Sequence, residues 1–342
     1  MRVLLSTYYN ARFPAMNEHV EATLRRMGHD VAVFEHYAYA APGRLRDRLP
    51  RLQRWDVGRL NRLLLRRSDE IRPDLLLVLG GVTIQPETLG ALRRRSVTVT
   101  NWFGDYPAHF DYTMAVAPHY DYFFVSDSLS RDRHQAAGHR HVHWLPFGCL
   151  PEWANGTEEK RDAVASDFIA GDSDVIFVGS WYPEREAFLE QLARDCRLAI
   201  WGPGWERAAR GPLRERIRGG ALRAEQWRRL YQRTPITLNL HYGFGGPAES
   251  YGAMANTRVF EALAAGGFLV SDEKKDLAAL LSAGREFIGF HDLRECSEKI
   301  RYYADHPAER RAIAGHGQRA VLAGHTYEHR LRHLLTIAGG RG

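Results

Sequence analysis

The sequence predicts an α/β protein made of two parallel-sheet domains in tandem, and three observations predict it. The chain has 342 residues, about twice the commonest domain size. Short apolar runs alternate with helix-length amphipathic segments, the order that βαβ units require. This alternation lapses once, around residues 151–173, and then begins again.

The first series opens with VLLS (3–6), a helix over Asn17–Gly28 and VAVF (31–34). Val20, Leu24 and Met27 recur at helical spacing on one face, and Gly28 closes the helix. Further strands are expected at Asp74–Gly80, Val97–Phe103, Tyr122–Ser126 and His141–Phe147. These runs are continuously apolar, as in a sheet covered on both faces. Residues 151–173 have no period and carry turn residues, so they read as a linker. The second series contains VIFVG (175–179), a helix over Glu184–Asp195, LAIWG (198–202), ITLNL (236–240), a helix opening near Thr257 and FLVS (268–271). Both series are Rossmann-like. The expected domains are therefore 1–150 and 174–324, followed by a closing helix at 325–342. That helix carries Tyr327, Leu331, Leu334 and Leu335 on one side and would pack back toward the first domain.

Composition narrows the function classes. Apolar residues make up 44% and charged residues 26%, which excludes a disordered or fibrous chain. No stretch approaches the roughly 20 apolar residues of a membrane span, and the opening residues do not read as a signal peptide, so a cytoplasmic protein is expected. The three cysteines, Cys149, Cys196 and Cys296, are too few and too scattered for a disulfide framework. The formal net charge of +6 is concentrated in residues 44–72, where ten arginines face four acids. Leu45, Leu49, Leu52, Trp55, Leu60, Leu63 and Leu64 recur there at roughly helical spacing. The segment reads as amphipathic helix with a basic face. Such a face is either simply solvated or docks peripherally on an anionic membrane surface or a phosphate-bearing acceptor. Nucleic acid is a weaker alternative, because no recognised binding module accompanies the charge.

The densest chemistry lies in NTRVFEALAAGGFLVSD (256–272). Thr257 is expected to cap a helix that Gly266 and Gly267 end, and the N-terminus of such a helix attracts phosphate. Arg258 would clamp a diphosphate, and Glu261, one turn inside, would accept the hydroxyls of a ribose. Asn256, Arg258, Phe260, Glu261, Ala262, Ala264 and Gly266 spell Asn-x-Arg-x-Phe-Glu-Ala-x-Ala-x-Gly. In this the chain resembles glycosyltransferases of the GT-B fold, and within them the family of the spore maturation protein CgeB. YYADHPAERRAIAGHGQRAV (302–321) and HTYEHRLRHLL (325–335) are similar to that family's closing helices, so the resemblance covers about residues 170–335. It implies two Rossmann-like domains facing a cleft, with the C-terminal helix crossing back to the first. It also implies transfer of a sugar from a UDP-, GDP- or dTDP-sugar to an acceptor hydroxyl, with no other cofactor. One departure stands out. The Glu-x7-Glu pair of many retaining relatives is incomplete, since position 253 is Ala. Glu249, in the glycine-rich loop YGFGGPAESYG (242–252), is the nearest substitute.

Other candidates surround that helix. Gly179 and Ser180 form a strand-to-helix turn followed by Arg185, and can approach the diphosphate from a second side. Trp201 and Trp205 flank Gly202 in WGPGW and would wall a base or sugar ring. Asn239 and His241 end a strand and would point into the cleft. In the first domain Asp105, in NWFGDYPAHF, is the candidate general base of an inverting transfer, with His109 as a second base and Tyr8, Tyr9 and Asn10 lining the acceptor side. His139, His141 and His143 lack the carboxylate partners of a metal site, and Asp172-Ser-Asp174 precedes a strand instead of ending one. Metal-independent transfer follows, with arginine and a helix N-terminus stabilising the leaving diphosphate. The alternatives are a nucleotide-sugar epimerase or phosphorylase of the same fold, and a non-catalytic nucleotide-sugar-binding protein.

Overall fold

The computed structural model describes residues 1–9, 16–104, 109–154, 173–244 and 252–339. The chain divides into two units, Met1–Pro146 with Glu328–Gly342, and Phe147–Tyr327.

In the first unit the apolar runs become β1 (Arg2–Thr7), β2 (Asp30–Glu35), β3 (Leu75–Leu79), β4 (Thr98–Phe103), β5 (Tyr122–Val125) and β6 (Val142–Trp144). They pair in parallel in the order β2-β1-β3-β4-β5-β6. All five residues of β3 are buried, which is why its sequence, LLLVL, contains no polar position. The helices are α1 (Met16–Arg26), α2 (Gly43–Arg48), α3 (Pro50–Ile71), α4 (Pro86–Arg94), α5 (Phe110–Val116) and α6 (Ser128–Ala136). Gly28, at φ 83°, closes α1 in the left-handed conformation that glycine adopts without cost. Leu60 and Leu64 of α3 are buried, each stabilising the unit by about 1.5–3 kcal/mol.

In the second unit β7 (Val175–Val178), β8 (Leu198–Trp201), β9 (Ile217–Gly219), β10 (Ile236–Asn239), β11 (Leu269–Asp272) and β12 (Ile288–Phe290) are arranged as β12-β11-β10-β7-β8-β9. Its helices are α7 (Pro183–Leu192), α8 (Ala224–Arg233), α9 (Thr257–Ala264), α10 (Lys275–Leu280), α11 (Leu293–Ala304) and α12 (Pro307–Gly324). β9 and β12 were not expected: each is three residues long, and they form the two edges of the sheet. The unit's two ends meet. Cys149 N donates to His325 O at 3.0 Å, and Tyr327 N donates to Cys149 O at 2.9 Å. Of the expected linker, Pro151–Trp153 forms a turn in which Trp153, 4% exposed, packs edge-on against Trp227. That stretch is anchored by this contact, and residues 155–172 lie outside the described ones. The closing helix α13 (Tyr327–Gly339) buries Leu331 and Leu334, and from Glu328 onward it groups with the first unit.

Candidate active site

Strand order locates the site. Counted from its own first strand, the second sheet runs 3-2-1-4-5-6 in reverse, so the direction of winding switches between β7 and β10. The crossovers leave these two strands in opposite directions and open a crevice at their C-terminal ends. Three segments reach it: the turn after β7, the end of β10 and the start of α9.

The turn after β7 is held by backbone close approach. Gly179 N donates to Trp201 O at 2.8 Å, and Trp181 N donates to Pro203 O at 2.9 Å. A Cβ on Gly202 would stand 1.9 Å from Gly179 O, and Gly202 has φ +143°, so glycine is required there for two reasons. Trp205 Nε1 donates to Gly179 O at 2.8 Å. Trp201 and Trp205 are 3% and 1% exposed and belong to the core. Where a wall for a base or sugar ring was expected, the two rings are buried and build the turn. Arg185 is buried, and its guanidinium donates to Ser180 O at 2.9 Å and Leu240 O at 2.6 Å. It fastens the turn after β7 to the chain leaving β10.

Asn256 caps α9, with extended backbone angles and its Oδ1 accepting from Val259 N at 3.3 Å. The expected cap, Thr257, is instead the first helical residue. Asn256 wins because its other side-chain atom is also used: Nδ2 donates to Asn239 Oδ1 at 3.0 Å, tying the helix start to β10. Asn239 Nδ2 then donates to Ser271 Oγ at 2.9 Å. Asp272 Oδ1 accepts from His241 N at 2.8 Å and lies 2.7 Å from His241 Nδ1. A carboxylate only accepts, so Nδ1 carries the shared proton. Nε2 of His241 is buried without a hydrogen-bond partner. Asn239 and His241 are thus turned into a strand-end network, where an open orientation was expected, because Asn239 lies opposite Ser271 on β11 and the next residue of that strand, Asp272, reaches His241.

Arg258 lies over Gly179: its Nη1 would be 3.3 Å from a Cβ placed there. Its Nε is buried and has no hydrogen-bond partner. Glu261, partly buried one turn along, has its pKa raised by burial and pulled back by Arg258. Both act on the buried Tyr231 hydroxyl of α8, whose pKa burial raises. A cation and an acid whose pKa burial raises therefore stand together above a glycine turn, at the N-terminal end of a helix and at the switch point. Such an arrangement has the chemistry to take a phosphate and a hydroxylated ring side by side.

Residues 185–336 match the family described as Glycosyl transferase-like. The spore protein CgeB of Bacillus subtilis (strain 168) is 20% identical over 278 residues, 77% of this chain and 82% of that protein. Among solved structures, Anabaena Alr3699/HepE in complex with UDP and glucose superposes with a TM-score of 0.69 at 11% identity, covering 98% of this chain and 99% of that one. Sucrose-phosphate synthase from Thermosynechococcus elongatus gives 0.72 at 11% identity, with 98% of each chain covered. The chain is a glycosyltransferase, and its fold is that of the GT-B structures. The family match favours glycosyl transfer over the epimerase, phosphorylase and non-catalytic alternatives.

In this glycosyltransferase the remaining candidates are placed unequally. Asp105, Glu249 and Asn10 lie outside the described residues. His109 precedes α5, is exposed, and meets the Phe103 ring edge-on at 6.2 Å. Tyr8 packs at 5.2 Å on Tyr37, which stacks with Tyr39 at 6.0 Å, an aromatic patch of which only Tyr8 was expected. His139 Nδ1 lies 3.1 Å from His134 Nδ1, and His141 Nε2 lies 2.8 Å from Ala117 O. Among the described residues no group of three or more His, Cys, Asp or Glu side chains is arranged to hold a metal ion. Among the same residues no helix is long and apolar enough to cross a membrane. Ser271, Asp272 and Tyr231 were missed by sequence reasoning.

Proposed function

We propose that this glycosyltransferase draws its sugar from a nucleoside-diphosphate sugar bound at the strand ends of the second unit. The observation that carries this reading is Arg258, whose buried Nε has no partner while its Nη1 stands over the Gly179 turn. A buried donor left unsatisfied costs about 1–3 kcal/mol, and a diphosphate oxygen would remove that cost. Glu261, three residues on, would accept the ribose hydroxyls, with the N-terminal end of α9 and the Ser180 side of the turn flanking the phosphates. The leaving diphosphate would then be stabilised by fixed charge and dipole. Alr3699/HepE was solved with UDP and with UDP-glucose, which makes uridine donors the first to test.

On the acceptor side, Tyr8, Tyr37 and Tyr39 at the ends of β1 and β2 suit the apolar face of a sugar ring. The general base is assigned from sequence to Asp105. Calorimetry with UDP, GDP and dTDP, followed by transfer assays with the matching donor, tests the reading. One diphosphate should bind well above its nucleoside, and its sugar should be transferred with inversion. If no nucleoside diphosphate binds, or if donor alone is epimerised, the proposal fails.

A further inference from the structure

The arginine excess of residues 44–72 is not absorbed by the donor site. α2 has no buried residue, so core packing does not account for its sequence. Leu49 is at once the last cap of α2 and the first of α3, and its N–H donates to Leu45 O at 3.0 Å. The corner these helices form is fixed from beneath. The buried carboxylate of Asp56 accepts from Ala40 N at 3.0 Å and Ala41 N at 2.9 Å, with Arg59 at 3.5 Å. Arg46 is also committed, lying 3.6 Å over the Tyr39 ring.

What this scaffold presents is both apolar and cationic. Leu45, Leu49 and Trp55 are 51%, 51% and 52% exposed. Around them Arg44, Arg48, Arg51 and Arg54 are exposed, and none is in an ion pair among the described residues. Along α3, Arg51, Trp55, Arg62 and Arg66 fall on one stripe at 100° per residue, opposite the stripe that buries Leu60 and Leu64. A merely solvated face would have no use for a half-exposed tryptophan and two half-exposed leucines, whereas a free phosphate ligand would need only the arginines. Apolar anchors set among cations match the boundary between headgroups and acyl chains of an anionic bilayer.

We propose that the α2–α3 corner and the outward stripe of α3 form a peripheral docking surface for anionic lipid bilayers. Leu45, Leu49 and Trp55 enter the headgroup boundary, and Arg44, Arg48, Arg51, Arg54, Arg62 and Arg66 engage lipid phosphates. This surface is independent of the donor site, so either reading can fail alone.

The test is co-sedimentation of the full chain with phosphatidylcholine vesicles and with phosphatidylcholine–phosphatidylglycerol vesicles. Wild type should bind only the anionic vesicles, and salt should weaken the binding. R51E/R62E/R66E, which spares the Asp56 contacts, should lower the partition coefficient by about a hundredfold or more. W55A should lower it about tenfold without changing the salt dependence. Both variants should keep the wild-type melting temperature, which shows that they fold. If wild type ignores anionic vesicles, or if the triple variant binds them as wild type does, the proposal is overturned. Binding to heparin but not to vesicles also overturns it, in favour of a polyanion site.

Discussion

Replacing Arg258 by methionine separates a ligand-binding arginine from a structural one, because the two roles predict opposite results in two assays. In the structure Nε of Arg258 is buried without a partner, so the unliganded protein carries a desolvation cost of about 1–3 kcal/mol. Methionine keeps most of the packing stem and removes that cost. It also removes the attraction that pulls the Glu261 pKa down, so that pKa should rise further. Stability without ligand should therefore stay within about 1 kcal/mol of wild type, or rise. Binding should change far more. A charge-assisted hydrogen bond to a phosphate oxygen is worth about 1.5–3 kcal/mol, so the Kd for UDP should rise about 10- to 150-fold. The loss should be small for uridine, which has no phosphate. Arg258→Lys should fall between, since an ammonium keeps the charge and loses the fork. Calorimetry and thermal melts read both quantities. A protein that melts much lower yet binds UDP as before would refute the reasoning and make Arg258 a tie between α9 and Tyr231.

Burial raises the pKa of Glu261, so its carboxylate is present above that elevated value and is lost as pH falls through it. UDP affinity should weaken over that range in wild type, and Glu261→Gln should bind about 1–3 kcal/mol more weakly at neutral pH with the pH dependence gone, by calorimetry. Gly202→Ala would put a Cβ 1.9 Å from Gly179 O at φ +143°, so it should lower stability by about 3 kcal/mol or more, whereas Gly28→Ala, with nothing within 4 Å, should cost only about 1–2 kcal/mol of left-handed strain in denaturant titrations. His36 and His134 are held near pKa 4 by burial, His134 also by His139 and His141, against an ordinary 6.5. Each folded-state pKa is depressed, so the unfolded chain binds more protons between these values. Stability complete above pH 6.5 is then lost toward pH 4, by as much as about 3 kcal/mol for each histidine. Melts at pH 7 and 4.5 should show it, and His36→Asn should flatten the slope.

The fold was legible because parallel strands buried on both faces leave an unmistakable record. Runs such as LLLVL at β3 and VIFV at β7 admit no polar residue, and the lapse between the two series marks the change of sheet. β9 and β12 were not legible for the complementary reason: IRG and IGF, at the sheet edges, are too short to show any period. The tryptophans of WGPGW were misread because their orientation is set by backbone, not by side-chain type. Gly202 and Gly204 both take positive φ, and this reversal of the chain accompanies the burial of both rings.

The site divides along the same line. α9 was readable because its polar residues are local, with Arg258 and Glu261 one turn apart, although the cap falls on Asn256, one residue before the expected Thr257. The network beside it joins residues far apart in sequence. Asn239 meets Ser271 and His241 meets Asp272 because β10 and β11 pair in parallel with Asn239 opposite Ser271. Yet the register carries its own signal. ITLNLH and FLVSD each run from buried apolar residues into polar ones at the strand exit. A buried polar atom must find a partner, and the parallel neighbour's exit is within reach. Consecutive buried strands that both end in polar residues therefore imply a hydrogen-bonded layer at the C-terminal edge of the sheet. That is also where the switch between β7 and β10 opens the crevice, so the layer fixes Asn256, and with it the start of α9, against the sheet edge where the proposed donor would lie.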